Sequence, residues 1–123
     1  MKQTDSPLKD RVTFGKFQNI DMRVAQIRTA PLAEGTEKPC RLITLDGGHL
    51  GTFKSVGQYA LCDEADLVGL KVIICANLSP REMGPYTSEV LVLGVPHPDS
   101  PEDQSQAMPL TVDQRAALGN QVF

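Results

Sequence analysis

The sequence predicts an all-β domain, a five-stranded Greek-key barrel with short helices and extensions at both ends. Three observations predict it. Five short segments rich in Val, Ile, Leu and Thr recur along the chain, bounded by Gly, Pro, Asn or Asp. One helical segment falls between the third and the fourth of them. The 123 residues suffice for one modest core and not two. That strand order with that helix is the pattern of the OB-fold and separates it from a small sandwich or an SH3-like barrel.

Taken in order, residues 1–11 are a polar, flexible extension, and 12–123 form the single domain. Thr13 is a helix N-cap for Phe14-Gly15-Lys16-Phe17, where the two rings sit three apart and share a face. Asp21–Thr29 alternates and then shifts face at Ile27, the signature of a bulge that coils a strand around a barrel. Pro31–Pro39 is a loop. Arg41–Asp46 and Thr52–Ser55 are strands joined at Asp46-Gly47-Gly48, because glycine tolerates positive φ. Asp63–Val68 is a short helix with acids in its first turn, stopped at Gly69. Lys71–Asn77 is apolar on both faces, and Glu89–Leu93 is the fifth strand. Pro96–Ser105 carries three prolines and no hydrophobic side chain but its neighbours', so it is a mobile loop. Met108–Val112 adds a last short strand before the chain closes on Val122-Phe123.

Composition narrows the function classes. The chain is 41% hydrophobic with six aromatic rings and no Trp, so Val, Ile, Leu and Ala build the core. The three cysteines, Cys40, Cys62 and Cys75, form no C-x-x-C pair, and His49 and His97 have no ligand spacing to them. Zinc needs three or four converging ligands, so no metal or other cofactor is expected. No apolar stretch resembles a signal peptide or reaches the length of a membrane span, which makes a cytoplasmic location the expectation. The net charge is −3, but it is unevenly placed. Residues 1–62 carry nine Lys/Arg against six Asp/Glu, and residues 63–123 carry three against nine. A basic face on an acidic protein is compatible with that split.

No catalytic constellation stands out. Phosphate-loop, dinucleotide and nucleophile-elbow patterns are absent. Asp46, His49 and Ser55 do not make a triad, because the first two flank a tight turn and nothing activates the serine. Glu64/Asp66 and Glu102/Asp103 read as solvated charge. The expectation is a non-enzymatic binding module.

The chemistry that remains lies at strand ends and in one long connection, Asn77–Glu89. Its prolines, glycine, hydroxyls and Arg81 suit ligand contact between the fourth and fifth strands of such a barrel. An alternative is a well-capped connection in which Asn77 and Ser79 hold backbone groups. Lys54, Ser55 and Gln58 bring a cation, a hydroxyl and an amide to the end of the third strand, a set that reads phosphate and base edges.

These residues make the chain resemble the CsaA family within the wider group of tRNA-binding domains. The resemblance covers roughly residues 12–122. It is carried by Asp21-Met22-Arg23-Val24, Lys38-Pro39, Lys54-Ser55 with Gln58, and Leu67-x-Gly69. It is strongest in Asn77-Leu78-Ser79-Pro80-Arg81 and in Met83-Gly84-Pro85 followed by Ser88-Glu89-Val90-Leu91-Val92-Leu93-Gly94. The resemblance implies an OB-fold homodimer that binds tRNA or other structured RNA without catalysis. It also implies a chaperone role in protein export with polypeptide as second ligand. Carried over by position, the RNA-facing residues are Arg23, Lys54, Ser55, Gln58, Asn77, Arg81 and Ser88. The dimer surface falls to Phe14, Phe17, Met108, Leu110, Val112, Val122 and Phe123.

The departures from the family pattern matter. Phe53 and Val56 stand where relatives often carry Lys and Ser, and Ala25 replaces a glycine. Arg41 and Leu42 stand where Tyr and Lys are common, and Gln121 replaces a frequent Arg. Cations are therefore lost from the RNA-binding set, and Arg41 restores one. Phe53, if exposed, is a stacking platform or a peptide contact.

Overall fold

The computed structural model describes residues 5–100 and 105–123. The start of the N-terminal extension, the Glu102/Asp103 pair and part of the Pro96–Ser105 loop lie outside the described residues.

Helix α1 (Phe14–Gln18) forms where the cap predicts it, with Thr13 Oγ1 accepting from the Lys16 N–H at 3.3 Å. It buries no side chain. Strand β1 (Met22–Thr29) is the spine of the sheet. Its first half pairs antiparallel with β5 (Lys71–Cys75), and its second half with β3 (Cys40–Asp46). The register slips between Ile27 and Thr29, the expected bulge. β3 pairs on with β4 (Thr52–Gly57), and on its other side with the two-residue β2 (Leu32–Ala33) inside the expected 31–39 loop. The turn into β4 is held by Asp46 Oδ1, which accepts the Gly48 N–H at 2.9 Å.

Helix α2 (Glu64–Leu67) plugs the barrel end with Leu67, which is fully buried. β5 is buried on both faces, as its composition predicts. Ala25, Ile27, Ile43, Leu45, Val72 and Ile74 form the centre of the core, all essentially inaccessible to solvent.

Three expectations need correction. The long Asn77–Glu89 connection is not an irregular loop. It contains a β-hairpin, β6 (Arg81–Met83) with β7 (Tyr86–Ser88), closed through Gly84-Pro85. Gly84 takes φ +60°. With proline fixed near its usual φ, the pair suits a two-residue II′ turn.

The fifth strand is also shorter than Glu89–Leu93. Leu91–Val92 (β8) forms the ladder with β5, and the Leu93 N–H adds one bond to the Ile73 carbonyl. The preceding residues close the barrel against β4 by another route. The Glu89 N–H donates to the Lys54 carbonyl at 2.9 Å, and the Lys54 N–H donates to Glu89 Oε1 at 2.8 Å. The Val56 N–H donates to Ser88 Oγ at 3.0 Å, and Ser88 Oγ donates to the Val90 carbonyl at 3.1 Å. Side chains take the place of a strand in this seam, the competition with a regular ladder that Ser and acidic residues offer.

Arg41 is not a surface cation. It is 7% exposed, and its guanidinium donates to the carbonyls of Ala30 (2.9 Å), Tyr59 (3.2 Å) and Cys62 (3.1 Å). Arg41 lies in phase with the inward-facing Ile43 and Leu45 along β3, and it is Cys40 before it that departs from the alternation.

Beyond β8, β9 (Gly94–Pro96) pairs with β10 (Ala107–Pro109), one residue ahead of the expected Met108 start. The last residues then run beside β1. The Val24 N–H donates to the Asn120 carbonyl, and the Gly119 and Val122 N–H groups donate to Val24 and Met22. Lys71 fastens this tail by donating to the Gln114 and Ala116 carbonyls, both at 2.8 Å.

Candidate nucleic-acid interface

Strict alternation along β3 and β4 sorts their side chains. Ile43, Leu45 and Ser55 point to the core, while Leu42, Thr44, Lys54 and Val56 lie together on the outer face, paired Leu42–Val56 and Thr44–Lys54. An outer-face valine is ordinarily exposed, yet Val56 is only 6% exposed. The β6–β7 hairpin accounts for it by folding back over the outer face. Its base is held by the Ser88 and Glu89 bonds. At its tip, Tyr86 Oη accepts the Glu34 N–H at 3.2 Å. Gly84 lies so close to Gly35 that a Cβ would collide with the Gly35 carbonyl.

Clefts open on both flanks of this arch. One, of about 490 Å³, is bounded by Thr29, Thr44, Lys54, Pro85, Tyr86 and Glu89. The other, of about 360 Å³, is bounded by Thr36, Lys38, Gln58, Arg81 and Glu82. A third, of about 320 Å³, lies under the hairpin between Ser55–Tyr59 and residues 88–94, and Gln58 and Arg81 border it as well.

The seven sequence-predicted RNA residues divide accordingly. Lys54, Gln58 and Arg81 reach the clefts, and none of their side chains has a hydrogen bond or ion pair among the described residues. Ser55 and Ser88 are buried in the barrel seam, their hydroxyls 3.4 Å apart, and Ser88 is spent on backbone groups. Asn77 and Arg23 lie at the other end of β1. Asn77 accepts the Asp21 N–H at 2.8 Å and donates to the Asn19 carbonyl at 2.7 Å, tying α1 to the barrel. Arg23 forks onto Asp21 (2.6 and 3.3 Å) and donates to the tail carbonyl of Gly119 at 3.1 Å. Phe53 is half-buried, its ring lying against Gly47 and the core, and is not an open platform.

Sequence reasoning left Lys38 out of the RNA set, although Lys38-Pro39 carried part of the family resemblance. Its side chain has no partner among the described residues and borders the same cleft as Arg81.

Of the residues assigned to a dimer surface, Phe14 (68% exposed), Phe17, Met108, Leu110 and Phe123 are exposed, while Val112 and Val122 are half-buried. The Phe14 and Phe17 rings pack on each other at 6.0 Å. Leu8, Val12, Leu91 and Val95 add further exposed apolar area.

Other candidate chemistry is quiet. The three cysteines are free, and burial pushes the Cys40 and Cys62 thiols up. Asp46 is held below the usual carboxylate range by Arg28, 2.6 Å away. Among the described residues no group of His, Cys, Asp or Glu converges as a metal site. No helix among them is long and apolar enough to cross a membrane.

Fold and site together define a class: a small antiparallel barrel of OB type with clefts on a hairpin-roofed outer face. No family model matches the sequence. Solved structures do. A CsaA chaperone from Picrophilus torridus matches with a TM-score of 0.81 at 25% identity, covering 92% of this chain and 100% of the other. A CsaA chaperone from Bacillus anthracis str. Ames matches with a TM-score of 0.81 at 24% identity over 93% and 100%. A methionyl-tRNA-synthetase-related protein from Pyrococcus horikoshii shares the fold, with a TM-score of 0.78 at 19% identity over 94% and 100%. The chain shares the fold of these CsaA structures over nearly its whole length, and its sequence motifs resemble the same family.

Proposed function

We propose that this chain is a non-catalytic cytoplasmic binder of structured RNA, tRNA first among them, working as a homodimer. The observation that carries the reading is the row of polar side chains around the arch that have no partner among the described residues: Lys54 on one flank, Lys38, Gln58 and Arg81 on the other. Cations without internal partners attract phosphate without first breaking an ion pair. Arg81 supplies a planar fork and Lys54 and Lys38 supply point charges. The set spans three separate stretches of chain, which suits a folded polynucleotide better than a short charged peptide. Arg23, Asn77, Ser55 and Ser88 support this face by fixing β1, the tail and the seam.

The paired Phe14 and Phe17 rings and the exposed Met108 and Leu110 give the second copy of the chain an apolar surface to cover. The same apolar area favours a second reading, a chaperone that holds unfolded polypeptide in protein export; the two CsaA proteins of the same fold are chaperones.

The RNA reading is tested by gel shift of labelled tRNA across a salt series. Lys54→Ala with Arg81→Ala is expected to weaken binding about tenfold or more and to flatten the salt slope by roughly 0.7–0.9 per lost contact. A salt-insensitive shift, or none at low salt, overturns it. Suppression of client aggregation that survives excess tRNA would establish the polypeptide surface as separate.

A further inference from the structure

We infer that the cleft on the Lys54 flank of the arch is a pocket for one unpaired nucleobase, so that the RNA is held by an extruded or single-stranded nucleotide. This rests on the proposed RNA reading and sharpens it.

A duplex backbone presents phosphates on a convex surface and needs only cations to meet it. The Lys54 cleft is concave and mixed in character. At about 490 Å³ it falls among pockets that hold small ligands, roughly 300–1,000 Å³. Its wall is the Tyr86 ring with Pro85, and Pro31, Leu42 and Val56 add apolar surface. Flat apolar surface beside an aromatic ring is what an unstacked base seeks. Thr29 and Thr44 supply hydroxyls, and the Lys54 ammonium, without a partner among the described residues, serves the attached phosphate.

Glu89 also borders this cleft. A carboxylate beside a phosphate site is unfavourable unless the ligand brings a donor. Among the described residues only Oε1 of Glu89 is occupied, by the Lys54 N–H. The other oxygen accepts from the exocyclic amine of adenine, cytosine or guanine. Uracil offers only its N3–H, flanked by two carbonyl oxygens that a carboxylate repels, so the pocket favours the amine-bearing bases.

An extended peptide is a poorer occupant. Strand addition needs a sheet edge with free N–H groups. On β4 those of Lys54 and Val56 are already taken by Glu89 and Ser88.

The chain offers its own reporter. It has two tyrosines and no tryptophan. Tyr59 is buried with its hydroxyl donating to the Val92 carbonyl, so Tyr86 dominates any change caused by ligand. A single-stranded RNA hexamer of A and C is expected to quench tyrosine emission saturably. A blunt RNA duplex of equal length should bind at least tenfold more weakly, and oligo(U) several-fold more weakly.

Anisotropy of the labelled hexamer then reads the variants. Tyr86→Leu removes the ring, and Thr44→Leu fills the cleft without touching the hairpin. Each is expected to cost about tenfold in affinity, while Tyr86→Phe, which keeps the ring, binds as the parent chain does. Circular dichroism confirms that each variant is folded. If tRNA and duplex bind well but the hexamer does not, or if neither Tyr86→Leu nor Thr44→Leu changes its affinity, the base pocket is overturned and the RNA reading stands. If no RNA binds at low salt, both fall together.

Discussion

Cations around the C-terminal tail and cations around the arch behave in opposite ways. Around the tail, Arg23 is spent on Asp21 and Gly119, Lys71 on the Gln114 and Ala116 carbonyls, and, deeper in the barrel, Arg41 on three carbonyls. Around the arch, Lys38, Lys54 and Arg81 are spent on nothing among the described residues. The lesson is that positive charges equal in the sequence are unequal in the fold. One group holds backbone together and the other is available to a ligand. The net charge of −3 conceals this difference, because it counts both groups alike.

Four substitutions sharpen or break the contrast. The largest effect is expected at Arg41. Arg41→Ala leaves the Ala30, Tyr59 and Cys62 carbonyls without their charged donor, and at about 1.5–3 kcal/mol per such bond it should cost 3 kcal/mol or more in urea unfolding. A loss below about 1 kcal/mol would mean that water replaces the guanidinium and that the cation is not structural.

Next is Gly84. Gly84→Ala places a side chain at φ +60° and against Gly35, and about 1–3 kcal/mol of strain is expected, with the hairpin tip released. Faster amide exchange confined to residues 81–88 is the measurement. Uniform loosening would show that the arch is inseparable from the barrel.

Arg23→Gln comes third, at about 1 kcal/mol, because it removes the fork onto Asp21 but leaves the tail ladder in place. Its tRNA affinity should stay within twofold of the parent. A tenfold loss would return Arg23 to the phosphate-binding set and erase the contrast between tail and arch.

The smallest effect concerns Arg28–Asp46. The folded pKa of Asp46 is depressed, so its contribution exists above the unfolded carboxylate range and disappears as pH falls through the folded value. Asp46→Asn should lower Tm by about 2 °C at pH 7 and by nothing measurable at pH 2, as suits a surface pair. Equal losses at both values would assign the effect to a change in the turn that does not depend on the carboxylate charge.

Much of this fold could be read from side-chain patterning. The five barrel segments, the bulge near Ile27, the Thr13 cap and the helix before β5 all follow from runs long enough to show a period or from a local cap. The arch could not be read that way. Its strands have three residues each, too short for alternation to register, and its Pro, Gly and Ser content is that of a loop. The cleft residues Lys54, Gln58 and Arg81 were legible as polar groups at strand ends. That Ser55 and Ser88 turn inward was not, because a hydroxyl satisfies a backbone group or a ligand equally well. Arg41 was misread for a related reason: no neighbour in sequence announces the three carbonyls that gather around it, since they come from residues 30, 59 and 62.

The Ser88–Glu89 closure bears on how these molecules treat one another in crowded solution. A sheet margin with idle amides is an invitation to stack chain upon chain. On β4 the amides of Lys54 and Val56 are occupied from within, and a carboxylate guards the rim. Two side chains thus act as a doorstop against runaway polymerisation while leaving the neighbouring face open for traffic with other molecules.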